Sequence, residues 1–189
     1  NIINTTANNF KILSKTHINN TRATTISSIG GDVLLASNVD NATDFDSTTN
    51  GYIQLRLGVT INTNGGDITL GGGNNQGSHY ALGSSAVNYT EGVRIDQVAN
   101  FNSGGGNIAI KGKSYAISVP AGYGASGLGF YFLSSADTIT SGTGTILLDG
   151  YSQTNGSSYS SGIVFYVNNA SFPFTIQSAN TTANAVTIN

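Results

Sequence analysis

Cysteine, methionine and tryptophan are absent from the 189 residues, and proline and histidine occur twice each. Without cysteine there is no disulfide, no thiol nucleophile and no Cys-ligated metal. Charge is scarce as well: 7 Lys+Arg stand against 9 Asp+Glu, 8% of the chain, for a net charge of -2. That is too little basic surface to neutralise a phosphate backbone, so nucleic acid is not an expected partner. No apolar run is long enough to form a membrane-spanning helix, and membrane insertion is not expected. Few acids, no thiol and two histidines also make catalysis an unexpected role. The chain opens Asn1-Ile2-Ile3-Asn4 with neither an initiator methionine nor a signal peptide, and reads as a processed piece of something longer.

What is present is glycine, 25 residues of it, with Asn, Ser and Thr; together these four types make about half of the chain. The hydrophobic share is 38%. Its Ile, Val, Leu, Phe and Tyr come in clusters and the net charge is small, which is not the signature of disorder. The length suits one domain or one stretch of a repeat array, with enough chain to bury a core.

The clusters repeat. Gly31-Asp32-Val33-Leu34-Leu35, Gly66-Asp67-Ile68-Thr69-Leu70, Gly106-Asn107-Ile108-Ala109-Ile110 and Gly144-Thr145-Ile146-Leu147-Leu148 share one pattern. Ahead of each stands a lone apolar residue, Ile26, Ile61, Phe101 or Ile139, followed by a polar turn such as Asn62-Thr63-Asn64-Gly65. A third element comes earlier still: Gly51-Tyr52-Ile53-Gln54-Leu55, Gly92-Val93-Arg94-Ile95, Gly129-Phe130-Tyr131-Phe132 and Gly162-Ile163-Val164-Phe165. Ala185-Val186-Thr187-Ile188 reads as a last copy that has lost its glycine. Residues 1–25 match worst, and Phe10-Lys11-Ile12-Leu13 is assigned to the earliest element. Alternation has period 2 throughout, so these are strands, and no stretch shows helical periodicity with caps.

A three-strand unit recurring every 35 to 40 residues predicts an all-β solenoid: a parallel β-helix of about 38 residues per turn, with one long polar loop per turn. The chain is then a single segment, with repeats over 26–189. Equivalent strands pair in parallel about 4.8 Å apart, and like residues stack over like. The expected inward columns are Ile53-Val93-Phe130-Ile163, Leu55-Ile95-Phe132-Phe165, Val33-Ile68-Ile108-Ile146 and Leu35-Leu70-Ile110-Leu148. The outward ones are Gln54-Arg94-Tyr131-Val164 and Arg56-Asp96-Leu133-Tyr166, which predicts an Arg56–Asp96 ion pair. Asn and Thr suit the turns and can ladder along the axis. About six buried side chains per rung, each contributing about 1.5–3 kcal/mol, must offset the entropy of ordering the chain, so one rung cannot stand alone while neighbours support each other.

The segments Gly-Gly-Asp-Ile-Thr-Leu-Gly-Gly (65–72), Gly-Gly-Gly-Asn-Ile-Ala-Ile-Lys-Gly (104–112) and Gly-Thr-Gly-Thr-Ile-Leu-Leu-Asp-Gly (142–150) resemble the repeats of filamentous-haemagglutinin-like bacterial exoproteins. The resemblance covers roughly residues 20–189. It implies a right-handed β-helix, a large adhesin of the two-partner secretion type, a place outside the cell on the bacterial surface, and no catalytic residues. The partner would be a glycan or protein on a host or neighbouring cell.

Several residues invite chemistry. Asp32 and Asp67 hold equivalent positions, so stacking brings two carboxylates one rung apart, a spacing fit for acid–base work or a cation. The plainer reading is that each bonds turn backbone, as Asn107 and Thr145 at the same position suggest. Asp40, Asp44 and Asp46 lie in an oxygen-rich loop that offers a Ca²⁺ site; it lacks the bidentate Glu of an EF-hand, and a solvated loop is the alternative. Tyr52, Tyr131 and Tyr166 point outward by alternation and offer aromatic faces to a sugar or protein, unless the Tyr-bearing loops cover them. His17 and His79 have no partner at metal spacing and are expected to be exposed. The expected function is a structural adhesin segment displaying loops. The alternatives are a self-assembling filament subunit joined by β-strand addition, and a polysaccharide-active β-helix enzyme.

Overall fold

The structure is a computed structural model, and it describes residues 2–3, 7–40, 51–74, 78–84, 90–97, 99–115, 126–132, 137–153, 161–167 and 173–189. Among these every regular element is a strand, and every pairing between named strands is parallel. The strands form three sheets around a common interior. Sheet 1 holds Ile18–Asn19, Ile53–Leu55, Val93–Asp96, Ser126–Phe132 and Ser161–Val167. Sheet 2 holds Ile2–Ile3, Thr24–Ser27, Val59–Asn62, Ala99–Asn102, Asp137–Thr140 and Phe174–Gln177. Sheet 3 holds Phe10–Leu13, Val33–Ser37, Ile68–Gly72, Ile108–Lys113, Ile146–Tyr151 and Val186–Ile188, with Ala81–Leu82 added beside Ile108–Lys113. The chain visits the sheets in the order 1, 2, 3 and then begins again one rung further on, which is a parallel β-solenoid.

Like residues sit over like. Val33, Ile68, Ile108, Ile146 and Val186 are in register, as are Leu35, Leu70, Ile110, Leu148 and Ile188. In sheet 2 the column runs Ile26, Ile61, Phe101, Ile139, Ile176. Apart from Val186 and Ile188, which are exposed at the last coil, these side chains fill one continuous core in which Ile61, Ile68, Leu70, Ile110, Ile139 and Leu148 have no solvent contact at all. Each column is a stack of apolar groups shared by neighbouring rungs, so burial accrues only when rungs adjoin.

Two expectations need correction. In sheet 1 the register is Ile53-Val93-Leu128-Ile163 and Leu55-Ile95-Phe130-Phe165. The third copy therefore lies two residues earlier than expected. Phe130 moves to the second column, Gly129 faces outward beside Arg94, and Tyr131 stands between Asp96 and Tyr166. Phe10–Leu13 belongs to sheet 3, in register with Val33–Ser37, and the earliest-element place in that turn goes to Ile18–Asn19. After Gly162 the coil continues into sheet 2, where Phe174–Gln177 pairs with Asp137–Thr140.

The corner between sheets 2 and 3 explains the polar turns. At the same place in successive rungs, Asn64, Gly104 and Gly142 adopt φ of 50, 66 and 60°. That left-handed conformation is cheap only for glycine and asparagine. Just before it stands a buried hydroxyl, Thr63, Ser103 or Ser141, and Ser28 and the partly buried Ser178 hold the equivalent places in the flanking rungs. Thr63 Oγ1 donates to the carbonyl of Gly66 at 2.5 Å, Ser103 Oγ to that of Gly106 at 2.5 Å, and Ser141 Oγ to that of Gly144 at 2.7 Å. Thr63 and Ser103 also lie within 3.2 Å of the next rung's carbonyl, at Ser103 and Ser141. The result is a buried hydroxyl ladder that satisfies the turn's backbone acceptors where water cannot reach.

Candidate functional site

Two features of the outer surface are built well enough to carry chemistry: the edge where sheet 3 returns to sheet 1, and the outer face of sheet 3.

At the edge the chain leaves sheet 3 and re-enters sheet 1 through close backbone contacts. A Cβ at Gly112 would fall on the carbonyl oxygen of Gly127, and one at Gly150 on that of Gly162. One at Gly51 would fall on Asn38, and one at Gly92 on the carbonyl of Ala81. Each long loop thus has a neck too narrow for a side chain, and the necks are laddered to each other. Gly92 N–H donates to Gly127 O at 3.1 Å, Ser114 N–H to Tyr151 O at 2.9 Å, and Tyr115 N–H to Thr90 O at 3.0 Å. The loop after Gly72 folds back through a bridge to His79, and Ala81–Leu82 then joins sheet 3 as an extra strand. Lys113 is 2% exposed at this edge, with Nζ 5.2 Å from the ring centre of Tyr151, itself 53% exposed.

On sheet 3 the position after each leading glycine forms a second ladder. Asp32 N–H donates to Asn9 Oδ1 at 3.0 Å, Asp67 N–H to Asp32 Oδ1 at 2.9 Å, Asn107 N–H to Asp67 Oδ1 at 2.6 Å, and Thr145 N–H to Asn107 Oδ1 at 3.0 Å. Asp32 and Asp67 are therefore one rung apart, as expected, and they do bond backbone. The backbone belongs to the neighbouring rung, so the side chains tie rungs together along the axis. Beside this ladder an open depression of about 520 Å³ is lined by Asn9, Lys11, Asp32, Leu34, Asp67, Thr69 and Asn74, with Val33 beneath.

The remaining candidates disperse. Tyr52 is buried, with its ring stacked on His17 at 4.8 Å, so it is not the exposed platform that alternation predicts. Tyr166 is 50% exposed and follows Tyr131 in the register; the side chain of Tyr131 lies outside the described part. Asp40 is an exposed turn residue, and Asp44 and Asp46 lie outside the described residues. Among the described residues no three His, Cys, Asp or Glu come together as a metal site. His17 is exposed, as expected, but His79 is half-buried. Arg56 and Asp96 do pair, Nε to Oδ2 at 3.3 Å, but Arg94 holds the same carboxylate more closely, Nε to Oδ1 at 2.8 Å, and also reaches Glu91 at 3.7 Å.

Sequence reasoning missed Asp137. Its carboxyl is 1% exposed in an inward position of sheet 2, in register with Ala99 and Phe174. Oδ1 accepts the Ala99 N–H at 2.6 Å, and Oδ2 has no hydrogen-bond partner among the described residues. Burial pushes its pKa up to about 6, against the lowering effect of that backbone bond. The signal was visible: an Asp directly before the alternating Thr138-Ile139-Thr140 falls on the inward face.

The fold and its ladders define a parallel β-solenoid with an edge of narrow-necked loops. No protein-family model matches the chain, and no characterised protein and no solved structure matches it either.

Proposed function

We propose that this chain is a rod segment of a bacterial extracellular fibre of the filamentous-haemagglutinin-like kind, which holds loops along one edge for adhesion to a glycan or protein on another cell. The observation that carries the reading is the row of loop necks at Gly51, Gly92, Gly127 and Gly162, all on the edge between sheets 3 and 1. A parallel solenoid adds length at about 4.8 Å per rung. A loop rooted at one edge of every rung is then presented in a row, at a spacing set by the backbone ladder. The core serves stiffness and the loops serve contact, the usual division between scaffold and binding segments.

The test replaces residues 116–125 by a short Gly/Ser linker that leaves Gly112 and Gly127 in place. Beads coated with the intact chain should adhere to cultured epithelial or bacterial cells, and the replaced chain should fold with an unchanged melting midpoint and adhere less. Equal adhesion by both, or none by the intact chain, overturns the reading.

A second reading, self-assembly by strand addition, draws on inner-column side chains of the last coil: Phe165 is 38% and Ile188 52% exposed. Sedimentation of the chain over a concentration series separates the two, since growing species support assembly and a constant monomer opposes it.

A further inference from the structure

The ladder through Asn9, Asp32, Asp67, Asn107 and Thr145 needs only one acceptor oxygen per rung. Asn9 and Asn107 supply it from an amide, and the N–H bond made to Asp32 or Asp67 has the same form. The charges at Asp32 and Asp67 are therefore not required by the coil. Placed about one rung, or about 4.8 Å, apart, they repel each other. Both line the depression on sheet 3, and in each the ladder engages Oδ1 alone.

The depression has the makings of a site. Leu34 points out of the sheet yet is only 9% exposed, so it forms an apolar floor rather than a protruding side chain. Thr69 continues that floor in the next rung. Asn74, from the segment that leaves sheet 3 after Gly72, stands in the wall.

We propose that this depression binds a neutral saccharide, with the Asp32 and Asp67 carboxylates accepting its hydroxyls and Leu34 packing under its C–H face. Hydrogen bonds from hydroxyls to an ionised acceptor are the stronger kind, and a few fixed polar groups around an apolar floor are the general pattern of a small-molecule site. The ladder holds both carboxylates in one orientation before any ligand arrives, so little ordering cost remains. Two adjacent carboxylates disfavour an anionic sugar. A bare divalent cation is poorly served, because Lys11 shares the depression and no third carboxylate or histidine joins the pair among the described residues. The site lies on a sheet face and does not depend on the loop edge, so it stands or falls separately from the adhesion reading.

The experiment is an amide chemical-shift titration of the intact chain with mannotriose, maltotriose and chitotriose, and separately with CaCl₂ and a heparin hexasaccharide. Support is saturable binding of at least one neutral trisaccharide that shifts the amides of Asp32, Asp67 and Thr69. It should weaken by about 10-fold or more in the D32N/D67N double variant, a loss of about 1.4 kcal/mol. That variant keeps the ladder, since asparagine already serves at equivalent rungs. Thr69→Arg, which fills the depression from an outward strand position, should abolish binding with the melting midpoint unchanged. No response to any neutral probe, a response that survives both variants, or a response confined to Ca²⁺ or heparin overturns the proposal.

Discussion

Gly112 and Gly127 press backbone against backbone across the neck of a loop, and a Cβ on either would fall on the carbonyl oxygen of the other. Neither clash can be relieved by a rotamer change, because the obstructing atom is main chain. Gly127→Val should therefore cost at least about 3 kcal/mol, the upper end of ordinary overpacking. Equilibrium denaturation in urea would show it; a variant with the wild-type midpoint would mean the neck opens freely.

Ser103 repeats the argument for a polar group. Its hydroxyl donates to Gly106 O at 2.5 Å and is completely buried. Ser103→Ala leaves a buried carbonyl without its donor, at a cost of about 1–3 kcal/mol. Ser103→Thr should be far milder, because Thr63 makes the same bond one rung away. The comparison of the two melting curves is the measurement, and equal losses would refute the ladder's role.

The two arginines on Asp96 should differ. Arg94 is bonded at 2.8 Å to a carboxylate that is 8% exposed and neighbours the 4% exposed Glu91, whereas Arg56 is 49% exposed. Arg56→Ala should cost less than about 1 kcal/mol. Arg94→Ala leaves Asp96 with only the exposed Arg56 and takes a cation from beside Glu91, and should cost more, up to about 3 kcal/mol. Urea denaturation of both variants reads the difference, and 0.5 M NaCl should weaken only the Arg56 contribution appreciably.

Asp137 gives a pH dependence of defined sign. Its folded pKa, about 6, lies above the ordinary 3.8, so between these values the folded state holds a proton that the unfolded state has released. Stability from this group is therefore greatest below about pH 4, falls as pH rises through about 6, and is flat above, with a span of at most about 3 kcal/mol. In Asp137→Asn that part of the slope should vanish. The check is the difference between the two urea midpoint profiles from pH 4 to 7.5; parallel profiles would remove Asp137 as the source.

Much of this coil was legible in the residues. Ile68, Ile108 and Ile146 announced their column because each follows a leading glycine by two and an apolar residue stands at a fixed distance before it. The hydroxyl ladder was also visible, as a Ser or Thr three residues before Gly31, Gly66, Gly106 and Gly144. The Asp32–Asp67 stacking followed from the repeat, but its use as an inter-rung tie did not, since either residue's own turn offers equivalent donors.

Periodicity by itself determined the parallel coil, the core columns of sheets 2 and 3 and the placing of a loop in each turn, because alternation and repeat length are properties of the linear chain. Tertiary contact decided the rest. A slip of two residues keeps every side chain on its face, so alternation cannot choose between Gly127 and Gly129 as the start of a strand; the backbone contact with Gly112 chooses Gly127. Alternation likewise turns Tyr52 outward, and only the neighbouring turn, which lays His17 over its ring, takes it out of water.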